Sequence, residues 1–424
     1  MEYSCNAPTL NTIKTKTTIH RAILVMSLCA AFLFYKYILQ NFPSVMAPQL
    51  MDAFHLHGLG LGVLSGVYFW TYLIVPLFVG IVLDHYGTRW VTTGAIFCCA
   101  LGIFFCAQAQ TLNAAIWGRA LIGVGVSFAS IAYFKLSAVW FDKKHYALLT
   151  SLLVTAAMIG AVCGQMPLAW LVSQIGWRAS LTNLAWVGIA LACLFLIVVK
   201  DKPSATSIEV NASESEHLWR DILSILKNKQ NWLLTAYSGL AFSPVVIFCG
   251  LWGNPFLQKA YGLDKIAAPS MISLVFVGLA ISCPLFALFA NRVRNRCTLM
   301  FYSTLVSALC ISLVIYAHPM PLWMLSILLF MFGFSLGAFP FVFVIGKELN
   351  PLHLAGTATS LLNASDALLD AITEPAIGTL LDIFSTGKGH DFSLFSYHIA
   401  LAILPIFQII GAFMMRWVND ECRS

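Results

Sequence analysis

Long apolar runs alternate with short polar segments along almost the whole chain. We count twelve such runs, and most are separated by only a few polar positions. About 20 helical residues cross roughly 30 Å of hydrocarbon, and only helices or closed barrels satisfy their own backbone hydrogen bonds there. The runs are too long for barrel strands, so the pattern predicts an all-α membrane protein with twelve transmembrane helices. The predicted spans are 21–46, 58–83, 91–110, 113–137, 147–172, 180–199, 231–257, 268–290, 297–317, 321–346, 355–381 and 396–418.

Features of the first half recur in the second half at a nearly constant offset. Asp84 and Arg89 lie in a polar hairpin between spans two and three, and Asn291 and Arg296 lie 207 positions later, between spans eight and nine. A proline in span five and a glycine in span four also have counterparts, 208 and 210 positions later. The offset predicts two homologous six-helix bundles with a site between them, an arrangement typical of secondary carriers.

The longest polar interruption separates the two predicted bundles. It is rich in Ser, Glu and Lys and is interpreted as a linker between spans six and seven. We therefore divide the chain into an N-terminal tail (1–20), a first bundle (21–199), the linker (200–230), a second bundle (231–418) and a C-terminal tail (419–424).

The composition and the placement of charge agree with a membrane location. Hydrophobic residues make up 59% of the 424 positions and charged residues only 10%, against roughly 25% in soluble domains. The net charge of +6 comes from basic residues between apolar runs, not from one patch, so it does not indicate nucleic-acid binding. With a cytosolic N-terminus, most of the 24 basic residues fall on the cytosolic side, as the positive-inside rule requires. We expect cytosolic termini, hairpins and linker.

The first hairpin carries a family motif. Gly80-x-x-x-Asp84-x-x-Gly87-x-Arg89 resembles the cytosolic loop motif of the major facilitator superfamily, and the sequence starting at Arg119 resembles its fourth-helix motif. The resemblance implies a transporter of two six-helix bundles and a gating role for the loops. The second copy of the loop has Asn for Asp and lacks the glycine. The implied gating residues are Gly80, Asp84, Gly87, Arg89, Asn291, Arg292 and Arg296.

Two shorter stretches carry a narrower resemblance. The segment from Phe34 to Met46 and the segment from Gly250 to Pro255 resemble the bacterial phagosomal nutrient transporter subfamily. Members of that subfamily import amino acids or nucleosides, which implies nutrient uptake across a bacterial inner (plasma) membrane.

Span eleven contains three acidic residues on one helix face. Asp366, Asp370 and Glu374 are spaced by four, so they follow one another along the helix with a drift of about 40° per step. Each charge at mid-bilayer costs roughly 2.5–3.5 kcal/mol, which excludes exposure to lipid. The stripe should face a wet cavity and hold at least one proton. We interpret it as the site of proton or cation coupling, with Glu374 before Pro375 as the preferred carrier; structural pairing with Lys36 or Arg119 is the alternative.

Lys36 lies deep within span one and needs a partner or water there. It could contact an anionic group of the substrate, form a fixed salt bridge to the acidic stripe, or extend to the outer surface. Arg119 in span four has, by resemblance, a role in coupling; bonding to backbone carbonyls is equally compatible. Polar and aromatic residues near these positions are our candidates for substrate contact: Lys36, Tyr35, Tyr37, Gln40, Tyr68, Tyr133, Trp252, Asn254 and Asn363.

These observations predict a proton-coupled importer of a small polar nutrient that works by alternating access. An exporter of drugs, metabolites or siderophore is an alternative, although Gly160 to Pro167 retains only part of the exporter-type fifth-helix motif. A non-transporting sensor or scaffold is a second alternative. No sequence typical of ATP hydrolysis, nucleotide binding or a metal site is present, so we expect no enzyme activity, cofactor or metal. We expect a monomer in the bilayer whose partners are a small-molecule substrate and protons, with no nucleic acid.

Overall fold

The computed structural model describes residues 9–141, 145–199, 225–289, 295–351, 354–385 and 392–418. This part of the chain is helical and contains no strand. Most of the predicted linker and the residues 419–424 lie outside the described ranges, as do Asn291 and Arg292. The helix of span one begins at Thr9, well before the predicted start, and so includes part of the expected N-terminal tail.

Each predicted span corresponds to one helix or to consecutive helices. Spans one to six are Thr9–Val45, Gly58–Ile74 with Pro76–Tyr86, Thr88–Gln108, Leu112–Val126 with Phe128–Trp140, Tyr146–Cys163 with Met166–Ile175, and Trp177–Val198. Spans seven to twelve are Lys229–Ile247 with Gly253–Tyr261, Ala267–Phe289, Arg296–Tyr316, Leu322–Ser335 with Phe341–Glu348, Ala355–Phe384, and Leu394–Leu401 with Ile403–Met414. A short helix, Ala47–Phe54, follows span one.

Most of the predicted spans have the length and composition of membrane-crossing helices. Among the described residues, ten helices are long and apolar enough to cross a membrane, and a pair bent by 113° raises the number to eleven. That pair is Ala47–Phe54 and Gly58–Ile74, which includes span two. Span eleven, which is 30 residues long and contains the acidic residues, is not among these helices. Large apolar side chains cover the outside of the bundle, as a lipid environment requires.

Several spans are interrupted where a side chain or backbone irregularity breaks the α-helical hydrogen-bond ladder. Span seven contains Pro244 and then a π-helical turn, Phe248–Trp252, before it continues as an α-helix. Span ten contains a short 3₁₀ turn, Leu336–Ala338. π-Helical turns are rare and occur mostly at functional sites. The turn in span seven lies against span one.

The two halves meet along three pairs of spans. Span two packs along span eleven, span five contacts span eight, and span one contacts the π-helical turn of span seven. Glycines allow the closest of these contacts: a Cβ at Gly62 would lie 2.5 Å from the carbonyl oxygen of Glu374. Gly58 and Gly378 likewise touch through their backbones. The halves are therefore in contact at the end of the bundle that the charge pattern predicts to face outward.

Candidate functional site

The acidic stripe of span eleven faces the protein interior. The hydroxyl of Ser238 in span seven donates a hydrogen bond of 2.9 Å to Asp366 Oδ1. Leu368 and Ile372, on other faces of the same helix, are 39% and 50% exposed and cover the outer surface. The helix therefore turns its carboxyl groups away from lipid, as the charge cost demands.

Exposure falls along the stripe toward the predicted outer side. Asn363 is exposed, Asp366 is half-buried, Asp370 is 2% exposed and Glu374 is fully buried. Neither carboxyl oxygen of Glu374 has a well-aligned hydrogen-bond donor, although the hydroxyl of Ser65 lies near enough to act on the group. Oδ1 of Asp370 has no hydrogen-bond partner. Water can therefore reach the stripe at its predicted cytosolic end, whereas the other end is sealed.

Lys36 in span one is 4% exposed, and its ammonium group packs against tyrosines of the first half. Its Nζ donates a hydrogen bond of 2.9 Å to the hydroxyl of Tyr72 and lies 4.2 Å from the centre of that ring. The ring of Tyr37 is 5.2 Å from the same nitrogen. In the described ranges, Lys36 forms no ion pair with a carboxylate, so the fixed salt bridge is absent from this conformation.

Partly exposed side chains of the two halves face each other beside the acidic stripe. Tyr37 and Asp366 are electrostatic neighbours from opposite halves. Both are surrounded by protein, yet both remain partly accessible to water. Gln40 is also partly accessible, and its Oε1 accepts a hydrogen bond of 3.4 Å from the hydroxyl of Tyr68. We call the space between Lys36, Tyr37 and Asp366 the chamber.

Arg119 is completely buried next to the sealed end of the stripe. Its Nη1 donates to the carbonyl of Leu39 at 2.8 Å, and its Nη2 donates to the carbonyl of Ser65 at 3.4 Å. The guanidinium also lies 4.9 Å from the ring centre of Tyr68. Glu374 is close enough to act on its charge but forms no ion pair with it. Arg119 thus bonds backbone carbonyls and remains within electrostatic reach of the acid.

A polar network links four spans beside Glu374. Asn254 Nδ2 donates to the hydroxyl of Ser44 at 2.8 Å and to Oε1 of Gln165 at 2.9 Å. Gln165 in turn donates to the carbonyl of Cys249 at 2.7 Å. Spans one, five and seven are joined in this way. The indole nitrogen of Trp252 adds span eleven, because it donates to the backbone carbonyl of Glu374 at 3.3 Å.

Two of the candidate tyrosines lie inside the first bundle, away from the chamber. The hydroxyl of Tyr35 donates to the carbonyl of Leu184 in span six at 2.9 Å. The hydroxyl of Tyr133 donates to the carbonyl of Leu149 in span five at 2.6 Å. Both rings are fully buried.

The sequence analysis did not identify Ser44 and Gln165 as site residues. The only feature that marks them in the sequence is a polar side chain within an apolar span.

The hairpin motifs lie at the predicted cytosolic end, and each forms contacts within its own half. Lys135 Nζ is 2.7 Å from Asp84 Oδ1, and Arg89 Nε donates to the carbonyl of Leu196 at 2.8 Å. Gly87 has a positive φ of 82°, which favours glycine at this turn. In the second half Arg296 forms a two-pronged ion pair with Glu348.

The predicted outer end of the seam is closed by span eleven against span two. Asp382 accepts hydrogen bonds from the backbone N–H groups of Gly58, at 2.7 Å, and Leu59, at 2.8 Å. A cavity of about 280 Å³ remains on this side between the halves. It is lined by residues of both halves: Ala47, Pro48, Met51, Asp52, Leu61, Trp252, Pro255, Gln258, Lys259, Phe392 and Tyr397.

Two helical bundles that meet around a polar chamber within the membrane define a transporter rather than an enzyme. The sequence model of the Major Facilitator Superfamily, a protein family, matches residues 24–374 of this chain. The chain therefore belongs to this family.

Known proteins resemble the chain over most of its length. It is 23% identical over 391 residues to the uncharacterized transporter YybO of Bacillus subtilis, with 86% of this chain and 88% of YybO covered. It is 23% identical over 419 residues to the human lysosomal dipeptide transporter MFSD1, with 93% and 86% covered. A bacterial homologue of the lysosomal transporter Spinster, solved in an inward-facing and unoccupied conformation, superposes with a TM-score of 0.77 at 14% identity. The superposition covers 95% of this chain and 99% of that one.

Proposed function

We propose that the protein is a proton-coupled importer of a small polar nutrient that works by alternating access. The observation that carries the proposal is the burial of Asp370 and Glu374 without an ion pair and with unpartnered oxygens. A buried charge without a partner costs several kcal/mol, so these acids favour a bound proton while the seam is closed around them. Because Asp366 is reached by water, the stripe offers a path between the sealed acids and the open end of the chamber.

Substrate recognition in this proposal rests on Lys36. The ammonium group is held by Tyr72 and flanked by Tyr37, with no carboxylate paired to it. Lys36 is only 4% exposed in this conformation, so we propose that an anionic group of the substrate reaches it when the halves move apart. An amino acid, a nucleoside or an organic anion remains the candidate substrate. The relative MFSD1 is named as a dipeptide transporter. Because a dipeptide carries a carboxylate, this name supports a substrate with an anionic group.

The contacts between the halves support the alternating-access part of the proposal. The predicted outer end is sealed by Gly58, Gly62 and Asp382, while exposure of the stripe rises toward the other end. We infer from these contacts a carrier that is open at its predicted cytosolic end. We propose further that the termini are cytosolic, that the membrane is a bacterial inner membrane, and that the monomer is the working unit.

Uptake into vesicles tests the proposal. The purified protein is first screened for thermal stabilisation by amino acids, nucleosides and organic acids, and the most stabilising compound is then used in radiolabelled form. In proteoliposomes we expect an inward proton gradient to drive accumulation of that compound. The variants Asp366→Asn, Asp370→Asn and Glu374→Gln should each reduce gradient-driven uptake. Undiminished proton-driven uptake in all three would exclude the stripe from coupling.

The same assay separates the alternatives. Accumulation driven by an outward-directed proton gradient, and not by an inward one, would identify exchange of substrate for protons, as in a proton-driven exporter. Stabilisation by a compound without any flux would identify a sensor.

A further inference from the structure

The cavity at the predicted outer end of the seam takes its walls from both halves. The short helix Ala47–Phe54 and Leu61 of span two line it from the first half, and span seven, Phe392 and Tyr397 line it from the second. Its volume is about 280 Å³, and its described lining includes none of the three residues that define the chamber. It is therefore a second space between the halves.

The inner wall of this cavity is apolar and aromatic. Trp252 and Leu61 are fully buried, and Phe392 and Tyr397 are 3% and 4% exposed. The rings of Phe392 and Tyr397 pack edge to face with their centres 6.0 Å apart, so each holds the other in place. Trp252 is fixed by the hydrogen bond from its indole nitrogen to the backbone of span eleven. A ligand that enters the cavity therefore meets a preformed apolar surface.

The rim of the cavity carries one charge of each sign. Asp52 of the first half and Lys259 of the second are exposed, and they are the charged residues among the described residues of the lining. Gln258, which is partly exposed, adds an uncharged amide. A ligand with one ammonium and one carboxylate group can meet both charges, whereas a ligand with a single charge is repelled by one of them.

The size of the cavity narrows the choice of ligand further. Pockets for drug-sized ligands typically enclose about 300–1,000 Å³ and combine apolar walls with a few polar groups. This cavity has that kind of lining, and its volume of about 280 Å³ lies just below that range. It therefore suits a single amino acid better than a larger molecule.

We propose that this cavity is a second binding site, which holds a zwitterionic amino acid with an apolar side chain. The ammonium group of the ligand faces Asp52, its carboxylate faces Lys259, and its side chain packs against Trp252, Phe392 and Tyr397. The proposal goes beyond the proposed transport function, because binding at this site requires no flux and uses no residue of the chamber.

The aromatic wall supplies most of the affinity, and the rim charges supply the selectivity. Asp52 and Lys259 are exposed, and both also interact within the protein. Exposed ion pairs contribute little, so each lost pairing should weaken binding only about twofold to fivefold. Burial of a large apolar side chain contributes more, at least about tenfold in affinity.

The site has a consequence for the movement of the halves, because its two sides belong to different halves. The walls surround one ligand only while the halves are together at the predicted outer end. A ligand that binds one conformation better than another shifts the balance between them. An amino acid in this cavity therefore favours the closed seam.

Calorimetric titration of the purified protein in lipid nanodiscs tests the site. The probes are L-phenylalanine, 3-phenylpropionate, which lacks the ammonium group, and 2-phenylethylamine, which lacks the carboxylate. We expect phenylalanine to bind about twofold to fivefold more tightly than either of the others. Glycine lacks the apolar side chain and should bind at least about tenfold more weakly than phenylalanine.

Two variants identify which protein charge reads which ligand group. In Asp52→Asn, phenylalanine should lose its advantage over 3-phenylpropionate and keep its advantage over 2-phenylethylamine. In Lys259→Met the pattern should be reversed. A variant that merely disturbed the fold would weaken the three phenyl compounds alike. Lys265→Met is the matched control, since Lys265 is an exposed lysine outside the lining of the cavity, and it should keep all the wild-type ratios.

The same titrations in Lys36→Met separate this site from the chamber. The wild-type ratios should persist there, because Lys36 does not line the cavity. Ratios that vanish in Lys36→Met and survive in both rim variants would place the ligand in the chamber and overturn the proposal. A wild type that binds none of the three phenyl compounds would also overturn it. Uptake has no part in these titrations, so failure of the proposed transport function would leave their outcome unchanged.

Spin labels at the exposed positions Gln110 and Leu322, one in each half, test the effect on the seam. Saturating phenylalanine should increase the fraction of molecules with the shorter, closed-seam distance between the two labels. This increase should be smaller in Asp52→Asn and in Lys259→Met at the same ligand concentration. Charge-dependent binding that leaves the distances unchanged would refute a ligand held between the halves.

Discussion

The carboxylate of Asp382 in span eleven caps the helix that begins at Gly58 in span two. The two residues are 324 positions apart and belong to opposite halves. The helix start at Gly58 has no side-chain cap of its own, since the preceding His57 makes no capping hydrogen bond. Free N–H groups at a helix N-terminus favour a nearby anion. Asp382 of the second half therefore provides the helix cap that span two of the first half lacks.

Replacement of Asp382 by Ala should favour opening of the seam at the predicted outer side. Two hydrogen bonds to a charged acceptor are lost, each with a net worth of about 1.5–3 kcal/mol, and they exist only while the seam is closed. We expect the equilibrium to shift toward the outward-open state by at least about tenfold. Double electron–electron resonance measures this shift as a change in the distance between two spin labels. The labels are placed at the exposed positions Gln110 and Leu322, one in each half.

Asp264→Asn is the control for that experiment. Asp264 also caps a helix, through the N–H groups of Ile266 and Ala267, but within one half. These hydrogen bonds lower the pKa of Asp264, so the charged cap contributes at neutral pH and is lost only as the pH falls through that lowered pKa. Its replacement should leave the label distance unchanged. An equal change in both variants would mean that Asp382 has no special role in closure.

Gly378→Ala should prevent closure for a steric reason. The added methyl would collide with the backbone of Gly58, and backbone atoms cannot move aside as a side-chain end can. Overpacking of this kind typically costs about 1–3 kcal/mol, here only in the closed conformation. We expect longer distances between the same two labels and lower thermal stability. Gly94→Ala, which meets open space, should change neither.

Tyr72→Phe should weaken substrate binding, because the hydroxyl that positions Lys36 Nζ is removed. We expect an affinity loss of about threefold to tenfold, and a larger loss for Lys36→Met, measured by substrate-dependent thermal stabilisation. Tyr35→Phe is the matched control: its hydroxyl bonds Leu184 inside the first bundle, so stability should fall but affinity should not. Loss of affinity in Tyr35→Phe alone would place the substrate elsewhere.

Asn254→Leu should disrupt the network beside the seam. Gln165 and Ser44 would each lose a buried hydrogen-bond partner, which costs about 1–3 kcal/mol per unsatisfied group. The expected result is lower thermal stability together with slower substrate exchange, measured by counterflow in proteoliposomes. Unchanged stability and exchange would show that the network contributes nothing to the closed seam.

The spans could be predicted from the sequence because lipid imposes a simple rule on apolar length. The acidic stripe was visible for the same reason: Asp366, Asp370 and Glu374 interrupt an otherwise apolar helix, and their spacing alone puts them on one face. Lys36 also stood out as a charge within a span. These features are local, since each needs only its neighbours in the chain to be recognised.

The contacts across the seam could not be predicted in this way. Asp382 bonds backbone N–H groups, which every residue but proline has, so nothing in span two marks its partner. Tyr35 and Tyr133 look like Tyr37 and Tyr72 in the sequence, yet they fill the interior of the first bundle. The direction of an aromatic side chain depends on how a helix is rotated, and apolar runs on all sides leave that rotation undetermined.

The π-helical turn Phe248–Trp252 fits one more residue into span seven than a regular helix of that length would hold. Deleting a residue there would restore a continuous α-helix and rotate everything beyond it by about 100° relative to everything before it. Asn254 would then point at a different neighbour, and the amide at Gln165 would lose its donor. The register of an entire half-helix against span one therefore depends on a single surplus amino acid.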